Sequence, residues 1–368
     1  MATPSAASMS NGVPASPPGR WSRRGTTGTA AAPPTTRAST PSTSPPWTTS
    51  CARGGRLGFN LTILIEGSEE IGSPGLDAFC ASRSADLAAS LLIASDGTRV
   101  AADRPTIFLG SRGSAPFTLS VSLRERSYHS GNWSGLLRNP ATVLAAAISS
   151  LTDGRGQIRA RGLRHPPIPH AVRAALRDIP VGGGPDDPAV DEDWGEAALT
   201  PAERVIAGNT LEVLSLAAGS PDRPVNAIPG SARARLQLRY VPGTDIGGMA
   251  KAIREHLDER GFGMVDVIAE QVLGASRTDL DDQWVRFAMA SLRTTAGEPA
   301  ALLPNLGGSL PNDVFTGTLG IPTVWIPHSY PACAQHAPDE HLLGSLARDA
   351  LRLMTGLFWD LGECGSAQ

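Results

Sequence analysis

The stretch from Leu57 to Gly97 constrains the chain most: an apolar run, Leu57-Gly-Phe-Asn-Leu-Thr-Ile-Leu-Ile65, leads straight into the acidic turn Glu66-Gly-Ser-Glu69-Glu70-Ile71-Gly-Ser-Pro74. An apolar run of that length, bounded by turn residues, predicts a buried strand. A helix is expected over about 77–88, then a short strand over 91–94 that ends in the polar turn Ser95-Asp96-Gly97. Strand, acidic loop, helix, strand, acidic loop is the order of a parallel α/β sheet that carries its chemistry on one rim.

The texture on either side differs. Residues 1–55 are made of Ala, Pro, Ser, Thr, Gly and Arg with neither a carboxylate nor a histidine, a composition that predicts disorder because it cannot form a core. From about Gly113, strands at 117–123 and 232–240 alternate with amphipathic helices such as 249–260, which predicts an inserted α+β domain over 113–276. The α/β texture returns after Arg277, with a helix near 281–294, the turn Gly307-Gly308-Ser309, a strand over 323–326 and a closing helix over 340–358. Residues 56–112 and 277–368 are thus expected to join as one discontinuous α/β domain.

Bulk properties exclude some functions. With 41% hydrophobic residues and a net charge of −3, the chain can bury a core and has no basic surplus to draw it to nucleic acid or an anionic membrane. No apolar run approaches the roughly 18 residues that a membrane span needs. Cys51, Cys80, Cys333 and Cys364 show no paired metal-ligand spacing, so free thiols in a reducing cytoplasm are expected.

Several residues could do chemistry. Adjacent side chains in a turning backbone point apart, so one of Glu69 and Glu70 can ligate a metal while the other serves as base for an activated water. Asp96, at the tip of the next strand, offers a second hard oxygen on the same rim. His336, in Cys333-Ala-Gln-His336-Ala-Pro338, stands before the closing helix, where a neutral imidazole is a good zinc ligand. His129, in Tyr128-His129-Ser130-Gly131, could hydrogen-bond a polarised carbonyl oxygen. Asn226 and Arg239, expected on neighbouring strands, and Ser309 in its glycine turn could hold an anionic substrate group. Taken singly, each is more often a turn former, a cap or a solvated charge.

Together and in this order, Ile65-Glu-Gly-Ser-Glu69-Glu70-Ile-Gly-Ser-Pro74, Ser95-Asp96-Gly97, Leu109-Gly-Ser-Arg112-Gly113, His129-Ser-Gly, Val225-Asn226-Ala-Ile-Pro229, Arg239-Tyr-Val-Pro242-Gly and Gly307-Gly-Ser309 through His336-Ala-Pro338 resemble the di-zinc metallopeptidase family M20, over about 57–358. The resemblance, most marked to its dipeptidase branch, implies a zinc-hydrolase-type mixed α/β sheet flanked by helices, with an inserted α+β lid and dimerisation domain. It implies hydrolysis of a dipeptide or N-acyl amino acid, two zinc ions with manganese or cobalt as substitutes, and a homodimer. Glu69 would be the general base. Glu70, Asp96 and His336 would be metal ligands, and Asn226, Arg239 and Ser309 would bind substrate. His129 would stabilise the oxyanion in the neighbouring subunit's site.

The family pattern also has an upstream His-x-Asp and an Asp-Asp-Lys-Gly segment, neither of which occurs in residues 1–55. Back-translating Pro34-Thr35-Thr36-Arg37-Ala38-Ser39 with GC-rich codons and reading from the third base gives Asp-Asp-Lys-Gly-Gln. The expectation is a shifted reading frame over 1–55 and a metal site short of ligands. The alternative is a catalytically inactive remnant that dimerises or binds amino-acid-like ligands.

Overall fold

The computed structural model describes residues 57–365 except 185, 186 and 221, together with the short antiparallel strands Ser22–Arg24 and Thr27–Thr29, the second of which pairs with His341–Leu343. The rest of the stretch to which a shifted frame is assigned lies outside the described residues. The main elements in chain order are α1 (Leu76–Ser82), β1 (Leu92–Ala94), β2 (Thr106–Phe108), β3 (Gly113–Ser122), α2 (Pro140–Leu151), β4 (Thr210–Ala217), β5 (Ser231–Tyr240), α3 (Met249–Glu259), β6 (Val265–Ala269), α4 (Gln283–Ala296), β7 (Ala301–Leu303), β8 (Thr323–Trp325) and α5 (Gly344–Gly365).

Two sheets organise the molecule. The lid sheet is antiparallel in the order β6-β3-β5-β4. Along β5 every second residue from Ala232 to Tyr240 is buried, the period-two pattern of a sheet with one covered face. α2 and α3 cover that face, and Leu144, Leu151, Ile253 and Leu257 pack with Phe117, Leu119, Leu236 and Leu238 in one core. α2 begins where its chain can afford it: Pro140 sits in the first turn, and the Asn139 side chain accepts the Ala141 N–H at 2.9 Å.

The second sheet is mixed, in the order β7-β2-β8-β1, with β7/β2 and β8/β1 parallel and β8/β2 antiparallel. Its strands are only three residues long. One side packs on α4 and α5 through Ile107, Leu109, Val285, Leu292, Val324 and Leu353. The other packs on α1 and, unexpectedly from chain order, on 168–207, whose Val172, Leu176, Ala202 and Ile206 join Leu76, Phe108 and Trp325. The chain therefore leaves the lid core after Leu163 and re-enters it at Leu211.

The strand expected over Leu57–Ile65 is not one. Among the described residues the run has no ladder partners, and Ile63 and Ile65 are 54% and 89% exposed. Its sequence suits a sheet interior, but no strand lies beside it among the described residues, so its backbone has nothing to pair with. No helix among the described residues is long and apolar enough to cross a membrane.

Candidate active site

The acidic loop after Ile65 folds on itself. Glu66 accepts the Ser68 N–H at 2.7 Å, and Glu69–Ile71 form one 3-10 turn closed by Gly72 at φ 84°. Asp96 hangs from the end of β1, where it accepts the Gly97 N–H at 2.5 Å. Gly97, at φ 73°, leaves no room for a Cβ, which would lie 2.6 Å from the Leu306 side chain. His336 adopts φ 58°, as do its neighbours Ala334 at 58° and Asp339 at 64°, a left-handed cluster rare for non-glycine residues. The His336 N–H donates to buried Glu340 at 3.2 Å, which helps hold the turn.

These loops meet. His336 Nε2 lies 3.9 Å from Glu70 Oε2. Burial, then the charges of Asp96, Glu70 and Glu66, push the Glu69 carboxyl up to about 7. Burial, then Glu70, raises Asp96 to about 6 against the opposing pull of the Gly97 N–H and His336. Crowded, half-desolvated carboxylates with one imidazole are the donor chemistry of a divalent cation site. They fit such an ion in kind, yet among the described residues no group of three or more His, Cys, Asp or Glu side chains is arranged to enclose one.

The substrate-side residues fall into two groups. Arg239, at the end of β5, donates from Nη1 to Ser309 Oγ at 2.7 Å and from Nε to Gln237 at 3.1 Å, joining lid to catalytic half. Asn226 is not beside Arg239 as expected. It precedes the two-residue strand Ala227–Ile228, which pairs with Tyr128–His129, and its carbonyl accepts the Ser130 N–H at 2.9 Å. β5 is flanked by β3 and β4 instead, leaving no edge there for Asn226. His129 and Asn226 thus share an exposed platform on the lid, apart from the carboxylate loops.

Other residues were not singled out as site candidates from the sequence, although Arg112 stands in one of the motifs quoted for the resemblance. Arg99, 1% exposed, pairs with Asp349 at 3.0 Å and donates to the Pro327 and Ala102 carbonyls, fixing the segment after Asp96 to the one before His336. His328 beside it is pulled down to about 4 by burial and then by the Arg99 charge. At the junction, Arg112 donates to Gly307 O at 2.8 Å and Gly208 O at 3.3 Å, while Asn209 donates to Leu163 O at 3.0 Å and accepts the Val241 N–H at 2.9 Å. A buried polar residue gives no signal in hydropathy, so only the surrounding apolar pattern could have marked these positions.

An α/β half presenting carboxylates and a histidine on loop tips, with an antiparallel α+β unit inserted into it, is a two-part architecture. Residues 109–264 match the M20 peptidase dimerisation domain. Human beta-Ala-His dipeptidase is 22% identical over 327 residues, covering 83% of this chain and 63% of that protein. Among solved structures, the M20 metallo-carboxypeptidase Sso-CP2 of Sulfolobus solfataricus superimposes with a TM-score of 0.68 at 23% identity, over 81% of this chain and 69% of that one. The dipeptidase Dug1p of Saccharomyces cerevisiae does so at 0.69 and 19% identity, over 86% and 70%. The chain thus carries a match to the M20 peptidase dimerisation domain over 109–264 and resembles M20 metallopeptidases in fold. It spans less than two thirds of the length of the first curated relatives it matches.

Proposed function

We propose that the chain hydrolyses the amide bond of a dipeptide or N-acyl amino acid as a homodimer, in a reducing cytoplasm where buried Cys80 and Cys333 stay free thiols. The observation that carries this reading is Glu69, held at about 7 beside Asp96, Glu70 and the His336 loop. A carboxylate poised there takes a proton from an attacking water and returns it to the leaving amine at working pH. Glu70, Asp96 and His336 would hold zinc, or manganese or cobalt in its place, in a site short of the full ligand set because residues 1–55 carry no histidine or carboxylate. Bound, such ions supply Lewis-acid polarisation of the carbonyl and acidify water.

The chain's other residues bind and orient. Arg239 and Ser309 clamp the substrate carboxylate, the bidentate role that guanidinium geometry suits. His129, exposed on its platform with Asn226, reaches the partner's site and donates to the developing oxyanion. The test is turnover of dipeptides and N-acyl amino acids by protein loaded with each metal. Glu69→Gln is expected to reduce kcat by at least about a hundredfold with KM little changed, as loss of a general base does. No turnover with any metal, alongside retained binding of amino acids, would favour the second reading, a dimer that binds without cleaving. The absence of an enclosing three-donor group among the described residues speaks for that second reading.

A further inference from the structure

Arg112 and Arg239 converge at the seam between lid and catalytic half. Arg112 Nη1 lies 3.4 Å from Thr210 Oγ1, and Thr210 is the register partner of Arg239 on the adjoining strand. Arg112 is 7% exposed. Among the described residues neither guanidinium has a carboxylate within ion-pair distance, although ten other pairs form. Their hydrogen bonds go to the Gly307 and Gly208 carbonyls, Gln237 and the Ser309 hydroxyl, all neutral. Burial and then the Arg239 charge pull Arg112 down to about 10, with Glu212 offsetting part of this, while burial lowers Arg239. Beside them Gly308 faces open space. Two desolvated cations that Glu212 offsets only in part, with no carboxylate in ion-pair contact among the described residues, are costly unless an anion completes them.

We propose that Arg112 and Arg239 together form a dianion subsite, so that the half of the substrate bound there is an acidic amino acid, an aspartate or glutamate residue carrying its side-chain carboxylate as well as its α-carboxylate. This rests on the reading of Arg239 as the substrate's carboxylate clamp. Arg239 makes the contact at its exposed face. Arg112, its Nε and Nη1 bonded to the Gly307 and Gly208 carbonyls, contributes charge, and that charge distinguishes a dianion from a monoanion of the same shape.

The test is calorimetric titration of the metal-free chain with N-acetylglutamate and its neutral-side-chain analogue N-acetylglutamine. N-acetylglutamate is expected to bind at least about tenfold more tightly, the scale of one extra charge pair at an effective dielectric near 20 after screening by salt. Arg112→Gln is expected to cut that preference below about threefold while N-acetylglutamine still binds, and Arg112→Lys, which keeps the charge but not the fork, is expected to retain it. A merely structural Arg112 would move both ligands alike in both variants. Equal affinities in the unmodified protein, binding of neither ligand, or a preference untouched by Arg112→Gln would overturn the proposal. Turnover of alanyl-alanine by metal-loaded protein reads the hydrolase function separately: turnover without an acidic preference removes the dianion subsite alone, and acidic preference without turnover removes the hydrolase reading alone.

Discussion

The lid and the catalytic half are built to different standards of closure. In the lid, two ten-residue strands run side by side through their whole length, and their inward residues meet two helices in one core. In the α/β half the sheet's strands are three residues each, and the apolar run that opens it has no ladder partner among the described residues, with Phe59 stacked on Phe358 but Ile63 and Ile65 in the open. Exposed apolar residues occur on the lid too, at Val213, Leu214 and Leu216, but they lie along the outer strand β4, which pairs with β5 with one register shift at Leu214. The lid therefore derives its stability from its own contacts. The α/β half leans on long helices behind its sheet and on polar ties such as Arg99 and Asp349, and these same ties shape the loops that carry Asp96 and His336.

The largest effect should come from breaking the lid core. Leu119 is fully buried on the central strand β3, between Ala234 and Val267. Leu119→Ala is expected to cost about 4 kcal/mol of unfolding free energy, transfer plus cavity, measured by urea denaturation. A loss below about 1 kcal/mol would show that the lid core is less tightly closed than its burial implies.

Next, His328 should give the α/β half an acid sensitivity of the same sign as that of buried His256 in the lid, whose pKa burial also lowers. His328 has a folded pKa near 4 against an ordinary value of 6.5. Between these values the unfolded state binds more protons, so stability rises with pH across that window and is lost as pH falls through it. The loss amounts to on the order of 3 kcal/mol for a group buried this deeply. Denaturation from pH 4 to 7 should show this slope in the unmodified protein and a flatter one in His328→Asn. Equal slopes would mean that the imidazole is not held neutral.

Glu69 should act with the opposite sign. Its carboxyl is raised from 4.5 to about 7, so the folded state holds the extra proton and stability is lost as pH rises through that range. Glu69→Gln should stabilise metal-free protein by on the order of 1 kcal/mol at pH 8, discounted for partial exposure, and change little at pH 4.5. A matching gain at both values would point to packing rather than charge.

The contrast also marks what the sequence made legible. The strands expected over 117–123 and 232–240 fall on β3 and β5, and the amphipathic helix expected over 249–260 falls on α3, because in the lid each element's pattern is answered by its neighbours. The same reasoning put a strand at Leu57–Ile65, since an apolar run states what it could bury and not whether a partner stands beside it. At the site, Glu69, Glu70, Asp96 and His336 were readable as motifs on loops, and the structure brings all four together. Asn226 was assigned to the wrong neighbour because strand order is a tertiary property. Arg99, Arg112 and His328 were passed over as candidate site residues because their importance lies in burial, which residue type does not announce for arginine or histidine.

The smallest effect sharpens the comparison most. Ile65 is 89% exposed, so Ile65→Ser removes almost no buried apolar surface. At roughly 25 cal/mol per Å² the expected change in unfolding free energy is within about 0.5 kcal/mol. An isoleucine buried as Leu119 is would cost several times more on the same truncation. Measured beside Leu119→Ala in the same buffer, the pair gives the ratio of closure between the two halves directly. A loss of 2 kcal/mol or more at Ile65 would show that the run is covered in solution, and the unequal closure of the two halves would then disappear. If the change is small while the variant stays soluble at concentrations where the unmodified chain self-associates, the uncovered run is an adhesive surface and not a contributor to the fold, as expected of an unpaired apolar segment.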